Sequence, residues 1–144
     1  MADWASLLPG WTVSYGVRTL PPPTAAEIAQ AEQHLGAIPA SLRDLYGVSN
    51  GLTAESLRVL PIETPDDVKR TWEGLRRAND PTKTRFLGRD LALLRRFLVF
   101  AVVAGDVPVV LDREDGSIWY QEGADLEQTS LSLTEFVQQA LHSR

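Results

Sequence analysis

Pro23 to Gly51, PTAAEIAQAEQHLGAIPASLRDLYGVSNG, fits two short helices joined by a tight corner. The Thr24 hydroxyl can accept from a free first-turn amide, and Glu27 can reach back to the Thr24 amide. Threonine and glutamate at this spacing form a capping box. Ile28, Ala31 and Leu35 then recur at helical spacing on one face. Gly36 stands where the chain must enter a left-handed conformation to stop. Pro39 suits the first position of the second helix, where a missing N–H costs nothing. Leu42, Leu45 and Tyr46 give that helix its apolar stripe, and Asn50-Gly51 closes it because both residues tolerate positive φ.

Before this pair, residues 1 to 20 carry Trp4, Leu7, Leu8, Trp11, Val13 and Tyr15. Ala2 to Leu8 reads as a helical turn or two ended by Pro9-Gly10, and Thr12 to Val17 as a short edge strand. Two tryptophans left in water would be costly. The segment is therefore expected to fold back as an extension packed on the domain, each buried ring contributing roughly 2–3 kcal/mol. Pro21-Pro22-Pro23 is a stiff spacer within the domain.

After Gly51, Leu57 to Pro61 reads as a strand. A helix follows from Thr64 or Pro65, with Asp66 and Asp67 in its first turn and Val68, Trp72 and Leu75 as its stripe. Residues 79 to 90, NDPTKTRFLGRD, are polar and turn-rich, an exposed connection. Leu91 to Leu94 fits either a helical turn or the lead into a strand. Phe97 to Ala104, Val107 to Leu111 and Ser117 to Gln121 make an antiparallel meander with a hairpin at Asp115-Gly116. Ser132 to Leu141 closes the chain as a helix with a second capping box, Ser132 with Glu135. This order implies an α+β fold over residues 1–144: an antiparallel sheet with helices packed mainly on one face.

Composition narrows the function. The 144 residues include 14 Lys and Arg against 19 Asp and Glu, a net charge of −5. A general nucleic-acid binder needs a basic face to displace counterions, so that class is disfavoured, whereas a basic protein partner is compatible. The absence of cysteine excludes disulfides, thiolate zinc sites and cysteine nucleophiles, and points to a reducing compartment. No apolar stretch reaches membrane-spanning length, and the first residues lack the basic and apolar regions of a signal peptide, so the expected location is cytoplasmic.

Chemistry-bearing motifs are few. His34 suits the negative end of the first helix and His142 lies in the tail; two isolated histidines do not make a metal site. Asp112-Arg113-Glu114-Asp115-Gly116 places its glycine one residue too early for a calcium loop and lacks the closing glutamate, so it reads as a hairpin turn. No nucleophile elbow, phosphate loop or dinucleotide fingerprint occurs. Catalytic, cofactor-binding and metal-binding residues are therefore all expected to be absent.

Taken in order, several of these pieces resemble the SUKH superfamily of Smi/Knr-like domains. They are the Pro-Thr-led helix ending at Leu35-Gly36, Ile38-Pro39 with the Leu42, Leu45, Tyr46 stripe, and Asn50-Gly51. The strand from Leu57 to Pro61, Asp66-Asp67, the Asp115-Gly116 hairpin with Trp119 and Tyr120, and the Ser132–Phe136 helix start follow. The connection from Asn79 to Leu94 is longer than the family pattern, and with Arg95 and Arg96 it carries Lys83, Arg85 and Arg89. The resemblance implies a non-enzymatic domain that binds proteins. Bacterial members act as immunity proteins that neutralise a cognate toxin, often a nuclease; fungal members act in cell-wall assembly and signalling, which leaves a regulatory or scaffolding role as the alternative. For a basic toxin, the expected contact set is acidic and aromatic: Glu63, Asp66, Asp67, Asp106, Asp112, Glu114, Asp115, Trp119, Tyr120 and Glu122.

Overall fold

The computed structural model describes residues 3–84, 86, 91–104 and 106–142. Seven strands form one sheet in sequence order, each antiparallel to the next: β1 (Arg18–Thr19), β2 (Leu52–Thr53), β3 (Leu57–Val59), β4 (Phe97–Val103), β5 (Val107–Asp112), β6 (Ile118–Glu122) and β7 (Asp125–Gln128). The helices are α1 (Trp4–Tyr15), α2 (Ala25–Leu35), α3 (Ala40–Tyr46), α4 (Val68–Thr71), α5 (Leu75–Ala78), α6 (Leu91–Arg96) and α7 (Leu133–His142). The α+β class and the antiparallel meander are as the sequence predicts.

Residues paired across the strands share a face of the sheet. One face carries Leu57, Val59, Leu98, Ala101, Val109, Leu111, Ile118 and Tyr120. The long amphipathic helix α7 seats here: Phe136 lies beside Val109 and Tyr120, and its ring meets Phe100 edge-on at 6.2 Å. Both bonds of its capping box form, Ser132 N–H to Glu135 at 3.0 Å and Glu135 N–H to the Ser132 hydroxyl at 3.2 Å. The opposite face carries Arg58, Phe97, Val99, Val102, Val110 and Trp119. It is covered too, by shorter pieces. Gly74, Ala78, Thr84 and Phe86 line a cavity with Val99 and Val102 on this side, while the amphipathic helix α7 takes the other.

The helix pair follows the sequence except at the bounds of the second helix: Pro39 is its N-cap, not its first residue, and it stops at Tyr46 with Gly47 as C-cap, before Asn50-Gly51. Thr24 and Glu27 exchange both capping bonds, at 2.8 and 3.1 Å. Leu42, Leu45 and Tyr46 are completely buried. The Tyr46 hydroxyl donates to the Leu60 carbonyl at 2.6 Å, and burial pushes its pKa upward, which keeps it a neutral donor. At the corner, Glu32 accepts from the Ile38 N–H at 2.8 Å and from Arg43 at 2.6 Å. The Ile38 amide first, and Arg43 after it, hold the Glu32 carboxyl below its ordinary value of 4.5. A carboxylate with a lowered folded pKa stabilises above its unfolded pKa, and that contribution disappears as pH falls through the folded value. Glu32→Gln is therefore expected to cost about 1 kcal/mol at neutral pH, at the low end for a charge-assisted bond because the side chain keeps some solvent. Urea melts should show the difference from wild type shrinking once the pH drops below 4.5.

Three segments depart from the sequence reading. The helix at the start runs through Pro9 to Tyr15 and ends at Gly16, so no strand forms from Thr12 to Val17. Asp3 caps it through Ser6, and Trp4, Leu8 and Trp11 are buried along one side. Burial of that stripe outweighs the amide bond lost at Pro9. The helix expected from Pro65 breaks instead: a 3-10 turn at Pro65–Asp67 and α4 are separated from α5 by residues 72–74. At the break, Leu75 N–H donates to the Pro61 carbonyl at 2.8 Å, and the backbones approach so closely that a Cβ on Gly74 would overlap the Pro61 oxygen. The connection after Asn79 is not simply exposed, since Thr84 and Phe86 are buried. Arg85 and Arg89 lie outside the described residues.

Two asparagines complete the backbone pairing. Asn50 accepts from Ile62 N–H at 2.7 Å and donates to its carbonyl at 2.8 Å. Asn79 does the same for Val99, at 2.8 Å in each direction. Each side-chain amide acts as one residue of an extra strand where no neighbouring strand supplies the partner.

Candidate functional site

The residues singled out as a contact set do not form one patch. Glu63, Asp66 and Asp67 follow β3. Asp67 is tied to Arg70 at 2.6 Å, and that hydrogen bond holds its carboxyl below the ordinary range. Asp106 and Glu122 sit at one end of the β5–β6 strands; Asp112, Glu114 and Asp115 sit at the other. Trp119 and Tyr120 are successive strand residues and point to opposite faces. Trp119 meets the Phe97 ring edge-on at 5.7 Å and donates from Nε1 to the Ser117 hydroxyl. Tyr120 lies on the α7 side.

Asp112 is a correction: it offers no surface. Its side chain is 1% exposed. One oxygen accepts from Arg96 Nε at 3.2 Å and Nη2 at 3.1 Å, the other from Glu114 N–H at 2.8 Å. Strand parity puts it opposite Phe97, where Arg96 lies over the ring at 5.1 Å and closes the carboxylate off from water. Asp115 is exposed but engaged, accepting from the Ser117 hydroxyl and amide. Those bonds, the hydroxyl first, lower its pKa. The turn is therefore a self-capped hairpin, as its spacing predicts.

His142 is exposed, and its Nε2 lies 2.7 Å from the Tyr15 hydroxyl, with the rings edge-on at 5.0 Å. This contact joins the end of α1 to the end of α7. His34 is exposed in the last turn of α2, as expected. Among the described residues no group of three or more histidines and carboxylates gathers to hold a metal ion, and no helix is long and apolar enough to cross a membrane.

The side of the molecule built by residues 65–84 and 91–96 presents a different set. Trp72, placed by its spacing in a buried stripe, is 44% exposed, and Val68 one turn before it is 48% exposed. The Arg77 guanidinium lies 4.6 Å from the Trp72 ring centroid, a cation–π pair at the surface. The break at 72–74 causes this exposure: once the chain dives to Pro61, only Leu75 of the expected stripe reaches the core. The signal was Gly74 within a helical pattern, which warns of a break or a close backbone approach.

Val68 and Arg76 border a groove with Glu27, Ala31, His34 and Ile62. Beyond His34 a second groove opens, walled by Leu35, Ala37, Leu91, Leu94, Arg95 and Arg113. Leu91 is 54% exposed. Exposed aromatic residues and arginines, such as Trp72 with Arg77, are what protein interfaces are enriched in.

Comparison with known proteins bears on most of the chain. Residues 22–139 match the family model described as the SMI1 / KNR4 family (SUKH-1). No curated protein matches.

Proposed function

The chain belongs to the SMI1/KNR4 family, SUKH-1, and from that premise we propose that it is a non-enzymatic protein-binding domain, specifically an immunity protein that neutralises a bacterial toxin by binding it in the cytoplasm. The observation that carries the reading is Trp72, a large aromatic held half in water with an arginine stacked on it. Nothing in the fold needs that ring at the surface, whereas a partner that covered it would gain the burial the chain forgoes. The grooves on either side of His34 extend the same surface.

Growth rescue tests the reading. Co-expression with the toxin encoded beside this gene should restore growth, and the purified pair should associate. Trp72→Ala should weaken that association at least tenfold, which is about 1.4 kcal/mol, while shifting the melting curve little because the ring is largely outside the core. Absence of rescue together with turnover of a small substrate by the purified chain would overturn the proposal. Co-purification with a non-toxin protein would instead support the regulatory role.

A further inference from the structure

The groove beyond His34 has a volume of about 410 Å³ and lies between the C-terminal end of α2, the turn at 79–81 and α6. Two guanidinium groups, Arg95 and Arg113, line it, and none of its described lining residues is acidic. Three other arginines hold carboxylates: Arg43 pairs with Glu32, Arg70 with Asp67 and Arg96 with Asp112. Arg95 and Arg113 have no ion pair among the described residues. Asp80, at the turn, is directed to Thr82, accepting from its amide at 2.8 Å and its hydroxyl at 2.7 Å.

Arg113 is the more telling of the two. It is partly buried. Nη1 makes one long bond, 3.3 Å, to the Ala37 carbonyl, and Nε is buried with no hydrogen-bond partner among the described residues. Burial depresses its pKa, the direction expected for a cation short of compensation. A buried donor left unmade is costly, and a guanidinium presents a planar fork that fits a carboxylate in two places at once. Leu35, Leu91 and Leu94 supply apolar surface beside the charges, and His34 and Asn79 add polar lining.

We propose that this groove receives an acidic segment of the protein partner, with Arg113 and Arg95 clasping a carboxylate while Leu35, Leu91 and Leu94 take an adjacent apolar side chain. The proposal rests on the protein-binding reading above and names the chemistry of the partner there. Its charge sense is opposite to that of the acidic contact set expected from sequence. A nucleic acid fits less well. Backbone tracking needs a run of cations along a surface, whereas two arginines line this groove beside leucines, in a chain whose net charge of −5 repels a polyanion.

Titration of the ¹⁵N-labelled full chain with the blocked peptide acetyl-Leu-Glu-Asp-Leu-amide tests this. The Nε–Hε resonances of Arg113 and Arg95 and the amides of Ala37 and Leu94 should shift saturably, and the isosteric acetyl-Leu-Gln-Asn-Leu-amide should give no saturation. Arg113→Gln should weaken binding about tenfold and Arg95→Gln at least threefold. Arg113→Lys, which keeps the charge and loses the fork, should fall between wild type and Arg113→Gln. Arg95 is exposed, so its variant should retain the wild-type melting curve, and a folding defect at Arg113 would not mask the result. Shifts confined to other residues, indifference to Arg95→Gln, or tighter binding of a single-stranded oligonucleotide at the same resonances would overturn the assignment. With the toxin partner in hand, Arg95→Glu should weaken association; if Trp72→Ala weakens it and Arg95→Glu does not, the groove assignment fails while the protein-binding reading stands.

Discussion

Replacing Gly51 by alanine is expected to cost about 4 kcal/mol or more, most of the stability of an ordinary domain of this size. Gly51 has φ of +76°, which alone disfavours a side chain by roughly 1 kcal/mol. Most of the cost is steric. A Cβ there would overlap the Val59 carbonyl oxygen and lie 3.2 Å from the Leu60 carbonyl carbon and the Pro61 nitrogen. Those atoms are backbone, pinned by the Tyr46 bond to Leu60 and the Asn50 bonds to Ile62, so they cannot swing aside as a flexible side chain would. Gly116 is the internal control: its φ is +75°, yet a Cβ there would meet nothing within 4 Å. Gly116→Ala should therefore cost only about 1 kcal/mol. Urea denaturation of the two variants separates the effects; equal losses would show that backbone conformation, and not the approach to the Val59–Pro61 backbone, governs position 51.

Asn50-Gly51 also shows what sequence could and could not give. That the chain turns at this pair follows from local chemistry, because the turn preference belongs to the residues themselves, although the second helix has already ended at Tyr46 with Gly47 as its C-cap. That the Asn50 side chain is spent on Ile62, twelve residues away, depends on where the chain returns, and no window of sequence contains that. The capping boxes at Thr24 and Ser132 were legible for the same local reason, and so was the hairpin at Asp115-Gly116. Phe97 to Ala104 and Val107 to Leu111 were legible as strands because β-branched and aromatic runs have few alternatives. β7 was not: Asp125-Leu126-Glu127-Gln128 carries one apolar residue, and its strand state comes from pairing with β6, a property of the neighbour.

The candidate site was the least legible part, and the reason is physical. Acidic residues were singled out by type, but type does not reveal whether a carboxylate is already occupied, as Asp112, Asp115 and Asp67 are. Trp72 was assigned to the core by its spacing, and spacing is informative only while the helix continues. Arg113 carried no signal at all within a hairpin turn. Its significance arises because the turn abuts Ala37 on a distant helix corner, leaving a partly buried cation with no ion pair among the described residues.

Trp4→Ala is expected to destabilise the whole chain by about 3–5 kcal/mol, the range for deleting a large buried aromatic. Trp4 is 2% exposed, and it packs edge-on against Trp11 at 6.1 Å in the same hydrophobic cluster as the sheet and α7. If α1 were only appended to the surface, its loss would leave the unfolding midpoint of the rest unchanged. The shared cluster and the Tyr15–His142 contact argue instead that the helix, though it precedes the family match at residue 22, unfolds with everything else. Trp4→Phe gives a sharper test. The Trp4 indole N–H is buried with no acceptor among the described residues, so phenylalanine removes an uncompensated donor, worth about 1–3 kcal/mol, along with part of the ring. Its cost should fall well below half that of alanine. Denaturation followed by circular dichroism and by Trp11 fluorescence, with Trp72 and Trp119 replaced by phenylalanine in the background, should show one coincident transition in both variants; a separate early transition for α1 would mean that the segment is stabilised independently of the sheet.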